Sequence, residues 1–153
     1  MPTLTLTNGK EIDLDLYSHC GDSELLLEDI QKEIGCELEN AKDFIKEFKD
    51  VPKELRDLDS ELFEWLNLGI GTRDAVWCYL DEIYTTGSID VSEIVERYEG
   101  RMSPADFAEN YYNDFLGESI SDFVLSGHID WKSVWIHELS HIYSDVKGYI
   151  FSQ

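Results

Sequence analysis

Two histidines and a glutamate near the end of the chain are the residues whose types and spacing could do chemistry. His137, Glu138 and His141 form the pattern H-E-x-x-H. On an α-helix this pattern would place both histidines on one face as zinc ligands, with the glutamate as the base for a bound water. A helix from Asp130 to about Ser144 is predicted to carry the motif. The chemistry implied is that of a small zinc metallohydrolase.

Catalytic zinc needs a third protein ligand, and the sequence offers few. Twelve residues follow His141, with Asp145 among them but without a histidine or a glutamate, and His128 and His19 are the upstream candidates. A short motif without its structural context is a weak signal. We therefore favour surface or partly packed histidines over a metal site. No serine lies in a nucleophile-elbow sequence and no cysteine has a local base, so nucleophilic catalysis has no support. We expect no enzymatic activity and no cofactor.

The charge of the chain is its second chemical feature. Thirty-three acidic residues against twelve basic ones give a formal net charge of −21, while aromatic residues make up 12% of the chain. An ordered acidic surface fits this composition better than disorder does. Successive thirds of the chain hold 13, 12 and 8 acidic residues, so the charge is not an acidic tail. Such a surface repels nucleic acid and membranes and attracts proteins with basic sites, so no direct nucleic acid binding is expected.

Cysteine usage and the first residues predict a cytoplasmic protein. Cys20, Cys36 and Cys78 are odd in number and contain no C-x-x-C pair, which argues against a disulfide framework and a zinc ribbon. The N-terminal residues lack a basic region followed by an apolar core, and no apolar run reaches membrane-spanning length.

The first residues predict a β-hairpin followed by a helix. Residues 3–7 and 11–16 alternate between apolar and polar side chains, and Asn8-Gly9 is the preferred two-residue turn. A helix then follows from a cap at Ser23 to a stop at Gly35. The buried face of the hairpin is expected to carry Leu4, Leu6, Ile12, Leu14 and Leu16.

The rest of the chain predicts helices and one terminal strand. Thr72, Asp90, Ser103 and Asp130 are the expected N-caps, and Gly117 is the expected stop of the helix that begins at Pro104. The helices are predicted over residues 40–51, 55–69, 73–86, 90–98, 104–116, 119–125 and 130–144, and a turn followed by a short terminal strand is predicted over 147–151.

These elements predict an α+β, mostly helical fold in three parts. A hairpin plus helix occupies residues 1–36, and a small helical bundle occupies 37–100. A helix-rich segment that ends in a short strand occupies 101–153. That strand must pair within the fold or with another chain, so the strand and the aromatic-rich last helix are the predicted contact of a homodimer.

Four short motifs occur in the second half of the chain. Residues 95–100 read V-E-R-Y-E-G and residues 103–109 read S-P-A-D-F-A-E, followed by Ile129-Asp130-Trp131 and a final G-Y-I-F at 148–151. These motifs resemble the C-terminal half of the ArdA-type antirestriction proteins, and their order and spacing agree with that family over roughly residues 60–151. The resemblance implies a rigid, elongated α+β protein, often a homodimer, whose surface carboxylates imitate the phosphates of bent B-DNA. Such proteins occupy the DNA groove of type I restriction-modification enzymes, so that phage, plasmid or transposon DNA escapes.

The resemblance also bears on the histidine motif and on the N-terminal part. The family has a small residue, an arginine and an acid where this chain has Ile136, His137 and Glu138. On that alignment the H-E-x-x-H pattern arose by local substitution, so the zinc hypothesis has less support. The family's first domain is longer than the hairpin and helix of residues 1–36.

The function predicted from charge and resemblance together is competitive occupancy of a basic groove without chemistry. Fixed negative charges attract a positively charged groove and speed encounter. The alternatives are inhibition of another DNA-binding defence effector such as a CRISPR nuclease, an acidic adaptor or immunity protein for a basic toxin, and the zinc metallohydrolase. The expected partner-binding acids are Glu61, Glu64, Asp74, Asp81, Glu82, Glu93, Glu96, Glu99, Asp106, Glu109 and Asp114.

Overall fold

A computed structural model describes residues 1–84, 86–116 and 129–153. The fold class is α+β, as predicted, with helices and small antiparallel sheets. The chain divides into two compact units, Met1–Glu93 and Ile94–Gln153, which do not coincide with the predicted boundaries at 36/37 and 100/101. Among the described residues, no helix combines the length and apolar character needed to cross a membrane.

The sheet of the first unit has the order β2-β1-β3 and is built around the predicted hairpin. β1 (Thr3–Leu6) pairs antiparallel with β2 (Glu11–Asp13) on one side and with β3 (Ile45–Lys49) on the other. Its leucines, Leu4 and Leu6, are fully buried because they point to the one covered face of the pleated strand.

The hairpin differs from the prediction at its turn. Leu6 and Lys10 close the loop through a 2.9 Å hydrogen bond between the Leu6 N–H and the Lys10 carbonyl. The loop therefore has three residues, 7–9, and Gly9 takes the left-handed position with a φ of +88°.

The second strand is also shorter than predicted. After Asp13 the backbone enters a 3₁₀ helix, Leu14–Tyr17, and the Asp13 carboxylate accepts a hydrogen bond from the Asp15 N–H. Because a 3₁₀ helix places residues i and i+3 on one side, Leu14 and Tyr17 are buried together. The predicted burial of Leu16 is wrong, since this side chain is 75% exposed.

The helix predicted over residues 40–51 is wrong. A 3₁₀ helix, Leu38–Phe44, leads into β3 instead. Apolar residues at 44, 45 and 48 fit a helical stripe, but Phe48 pairs opposite Leu4 at the edge of the sheet. Pairing satisfies the backbone groups that β1 and β3 turn toward each other, and this tertiary gain outweighs a weak local preference for helix.

The helices of the first unit follow the prediction in part. α1 (Glu24–Ile34) ends at Gly35, whose φ of +78° provides the predicted stop. α2 (Ser60–Leu66) covers only the middle of the predicted 55–69 region, and a 3₁₀ helix, Lys53–Leu55, precedes it. α3 (Ile70–Glu82) begins after Gly69, so the predicted cap at Thr72 is wrong.

Arg73 helps to hold the first turn of α3, which begins before Thr72. Its backbone N–H donates to the Gly69 carbonyl at 2.9 Å, which continues the helix upstream of Thr72. The Arg73 guanidinium is only 13% exposed, lies 2.7 Å from the Asp15 carboxylate, and sits 5.4 Å from the centre of the Trp65 ring. The Trp65 indole N–H donates to the Arg73 carbonyl at 3.1 Å, so this arginine is held on both its backbone and its side chain.

The second unit combines a three-stranded sheet with α5. α4 (Val91–Arg97) ends where β4 (Tyr98–Arg101) begins, and α5 (Pro104–Leu116) follows. The described chain resumes at residue 129. It then forms α6 (Trp131–Val134), a π-helical turn (Trp135–Leu139), β5 (Tyr143–Val146) and β6 (Tyr149–Ser152), and the sheet order is β4-β6-β5.

Most predicted helix starts in this part of the chain are confirmed. The Glu93 N–H donates to Asp90 at 3.1 Å, and the Asp106 N–H donates to the Ser103 hydroxyl at 3.1 Å. The Ser133 N–H donates to Asp130 at 3.2 Å. The predicted stop at Gly117 and the helix over 119–125 lie outside the described residues.

The terminal strand lies at the centre of its sheet. β6 pairs with β4 on one side and with β5 on the other, and Tyr149, Ile150 and Phe151 are buried. Lys147 and Gly148 both have positive φ and form a two-residue turn. The strand is therefore paired within its own fold, and it cannot also add to the sheet of a second chain.

Candidate partner-binding surface

The H-E-x-x-H residues do not share one α-helix. His137 and Glu138 lie in the π-helical turn, and His141 lies in the turn before β5. The Ser140 N–H donates to the Trp135 carbonyl at 2.8 Å, five residues back, so the helix predicted to reach residue 144 widens and ends there.

The environment of these residues does not form a zinc site within the described part of the chain. His137, Glu138 and His141 are all exposed. No group of three or more histidine, cysteine or acidic side chains that could hold a metal occurs among the described residues. His128, the upstream candidate ligand, lies outside them.

The eleven predicted partner-binding acids are distributed over both units. Ten of them are exposed, and Glu61 is partly buried. In the first unit they are Glu61 and Glu64 on α2, Asp74, Asp81 and Glu82 on α3, and Glu93 on α4; in the second they are Glu96 on α4, Glu99 on β4, and Asp106, Glu109 and Asp114 on α5.

Glu61 and Glu64 hold the beginning of α4. A Glu61 carboxylate oxygen accepts a hydrogen bond from the Val91 N–H at 2.7 Å, and Glu64 accepts one from the Ser92 hydroxyl at 2.7 Å. The Val91 N–H is one of the first amides of α4, which have no partner within their own helix. Glu61 therefore has a structural role that its sequence position did not reveal.

Burial is the main cause of a raised pKa at Glu61. Repulsion from the carboxylates of Glu64, Asp90 and Asp59 acts in the same direction, and the hydrogen bond from the Val91 N–H opposes it. The carboxylates of Glu64, Asp90 and Asp59 therefore lie close enough to the start of α4 to be felt at Glu61.

The acids of α3 are held on a packed helix. Asp74 and Asp81 are seven residues apart, so they lie on the same face and about 10 Å apart along the helix axis. The opposite face is anchored by buried Ala75, Val76 and Leu80. The two carboxylates therefore keep a spacing that the fold determines.

The acids of α5 have the same kind of support. Phe107 and Ala108 are buried in a cluster with Trp135, Leu139 and Ile150. Asp106, Glu109 and Asp114 are exposed on the rest of the helix surface. Asp114 lies in the last turn, where the helix dipole disfavours a negative charge, so helix stability does not account for its presence.

A cleft of about 510 Å³ in the second unit contains two of these acids. Its lining residues are Glu99, Met102, Phe107, Asn110, Tyr111, Asp114 and Tyr143. The sequence did not indicate this cleft, because Tyr143 was predicted to lie on the last helix, whereas it begins β5. Only the clustering of aromatic residues at 107, 111 and 112 hinted at an aromatic wall.

A second cleft, of about 800 Å³, lies in the first unit beside Arg73. Asp74, Trp65 and Trp77 line it, and so does Ile70, which is 78% exposed. The two indole rings meet edge to face at 6.0 Å. Because Arg73 already pairs with a carboxylate and a ring, this cleft contains a cation of its own.

Comparison with known proteins does not place the chain in a family. No family model matches it, and no solved structure matches it. A stretch of 64 residues is 36% identical to the auxiliary subunit of the N-terminal acetyltransferase B complex of Arabidopsis thaliana. That similarity covers 42% of this chain and 6% of the plant protein.

Proposed function

We propose that this protein is a DNA mimic that blocks the DNA-binding groove of a type I restriction-modification enzyme by competitive occupancy. The observation that carries the proposal is the exposure of ten predicted carboxylates on packed elements of both units. The family resemblance supplies the class of partner. The proposed mechanism involves no covalent step.

The packing of the acid-bearing elements supports a fixed array of charge. α3 and α5 each bury apolar residues on one face, which orients the carboxylates on the other. A charged groove gains specificity from such an arrangement, because the positions of complementary charges select the partner. A disordered acidic segment would have to lose conformational entropy to achieve the same display.

Four of these carboxylates lack an ion pair within the described part of the chain. Asp81, Glu96, Asp106 and Glu109 form no ion pair with any residue that the structure describes. Their charges are therefore available to an external cation.

The arginines of the chain support the same interpretation. Arg56 donates twice to the Val51 carbonyl, at 3.1 and 2.8 Å. Arg73 is held by Asp15 and Trp65, and Arg101 lies 5.3 Å from the centre of the Tyr149 ring. Three of the four arginines thus contact a backbone carbonyl, a carboxylate or an aromatic ring within the fold.

A displacement assay tests the proposal. A fluorescently labelled duplex bound to a purified type I restriction-modification enzyme should be released as this protein is added, with a fall in anisotropy. The displacement should weaken as salt increases, because the attraction is electrostatic. Unlabelled duplex is the positive control. Unchanged anisotropy at low salt and excess protein would refute the proposed function.

A further inference from the structure

The cleft in the second unit is lined by aromatic and acidic side chains, and its role has not yet been explained. Phe107 and Tyr143 lie 4.8 Å apart between ring centres, and Tyr111 lies 6.2 Å from Phe107 and 6.0 Å from Tyr143. All three rings line the cleft, so its wall is largely aromatic.

The polar groups of the cleft make it attractive to cations. Among the described residues that line it, Glu99 and Asp114 are charged, and the other polar side chains are the Asn110 amide and the tyrosine hydroxyls. These described lining residues include no lysine or arginine. Arg101, from the same strand as Glu99, is placed over the Tyr149 ring instead.

The negative charge of Glu99 acts on Tyr143, one of the aromatic residues that line the cleft. The pKa of Tyr143 is raised, first by burial and then by the negative charge of Glu99. The charge of Glu99 would favour a cation beside this ring.

We propose that this cleft receives an arginine side chain of the protein partner, which would make it an anchoring point within the proposed mimic surface. This proposal rests on the proposed function for the identity of the partner. A guanidinium group can stack on tyrosine rings while its N–H groups reach carboxylates, so Glu99 and Asp114 would bind the edge of the group and the rings its face. A cleft of about 510 Å³ falls within the size range of ligand pockets.

The geometry favours arginine over other occupants. A phosphate or a carboxylate would face two negative charges, and none of the lining residues that the structure describes is a cation. A neutral apolar group would leave both carboxylates without a partner. A lysine ammonium would satisfy the charge but would lack a planar face to lie on the rings.

The binding of a model compound tests the cleft directly. N-acetyl-arginine amide is titrated into the full chain, and the aromatic ¹H–¹³C resonances of Tyr111 and Tyr143 are followed by NMR. We expect saturable shifts at millimolar concentration. N-acetyl-citrulline amide, the neutral analogue of similar shape, is expected to bind at least about tenfold more weakly, because it lacks the charge.

Two double variants of equal charge change complete the test. Glu99→Gln/Asp114→Asn should weaken arginine binding at least about tenfold. Glu39→Gln/Asp43→Asn, which neutralises exposed acids of the first unit, should leave it within about twofold. Tyr143→Phe should retain binding because the ring remains. Equal shifts with arginine and citrulline, or unchanged affinity in Glu99→Gln/Asp114→Asn, would overturn the proposed arginine site.

The outcomes for the cleft and for the proposed function can be separated. If the arginine compound binds as expected but the protein does not displace DNA, the cleft stands as a cation site and the mimic proposal fails. If the protein displaces DNA equally well with Glu99→Gln/Asp114→Asn, the mimic proposal stands and the cleft is not its anchoring point.

Discussion

Glu61 and Glu109 show how residues of one type acquire different roles. Both were predicted to imitate phosphates, because both follow helical patterns with apolar neighbours. Glu109 is exposed, whereas Glu61 is partly buried and accepts the Val91 N–H. The difference depends on the position of α4, which no local sequence pattern specifies.

Removing the Glu61 carboxylate should destabilise the fold. Glu61→Ala leaves an amide at the start of α4 without its acceptor, and we expect a loss of about 1 kcal/mol in the free energy of unfolding. Glu61→Gln keeps an acceptor oxygen and should lose less. Denaturation by urea measures both variants. Equal stability of Glu61→Ala and the wild type would show that the bond contributes nothing.

The same variants should differ in their pH dependence. Because the pKa of Glu61 is raised in the folded state, the folded protein binds the proton more tightly than the unfolded chain does. Stability therefore falls as pH rises from the unfolded pKa, near 4.5, through the folded pKa. Glu61→Gln lacks this fall, so its stability relative to the wild type should increase over that range. Urea titrations at several pH values provide the measurement.

The histidine motif can be tested by metal analysis. Because His137 and His141 are exposed and do not share one α-helix, we expect His137→Ala to leave the metal content of the purified protein unchanged. Elemental analysis of both proteins after dialysis measures this. Zinc bound one to one in the wild type and lost in His137→Ala would favour the hydrolase.

The individual elements show which parts of the fold the sequence could predict. The hairpin, the stop of α1 at Gly35 and the caps at Ser103 and Asp130 were predicted because turn and cap chemistry acts over a few residues. β3 and β5 were missed because their strand character depends on pairing with residues distant in the chain. The exposed acids could be predicted from the helical spacing of the apolar residues. The aromatic cleft could not be predicted, because it depends on the position of β5.

The glycines of the two hairpin turns should be sensitive to substitution. Gly9 and Gly148 have φ values of +88° and +91°, and a Cβ atom at either would meet nothing within 4 Å. The cost of Gly9→Ala or Gly148→Ala is therefore one of backbone conformation, about 1 to 2 kcal/mol.

Gly71 provides the matched control. It lies within α3 without a positive φ, and a Cβ atom there also meets nothing within 4 Å. Gly71→Ala should therefore raise stability by about 0.5 kcal/mol. Thermal or urea unfolding of the three variants measures these changes. A loss in Gly71→Ala as large as that in the turn variants would contradict the account.

The acids of α3 and α5 should act together. An exposed ion pair contributes about 0.2 to 1 kcal/mol, so Glu109→Gln alone should weaken partner binding by less than about fivefold. Neutralising four exposed acids outside the arginine cleft, Asp81, Glu82, Asp106 and Glu109, should weaken it by about fivefold to several hundredfold. Competition with duplex DNA measures both. A single Glu109→Gln that abolished binding would contradict a distributed array.

At the scale of the whole molecule, charge and fold have to be explained together. A formal charge of −21 on 153 residues opposes the compact state through self-repulsion. Both units nevertheless bury apolar cores, with Leu4, Phe63 and Phe151 among the fully buried side chains. The proposed function gives a reason for retaining the charge. The elongated arrangement implied by the family resemblance stays a prediction.

Calorimetry with the restriction-modification enzyme tests the central claim most directly. The protein is titrated into the enzyme alone and, in parallel, into enzyme saturated with its specific duplex. We predict saturable binding to the free enzyme. We also predict that bound DNA reduces the apparent affinity, and that this reduction grows with DNA concentration, because both ligands use one groove. Equal affinity in the two titrations, with protein and duplex bound at the same time, would contradict it.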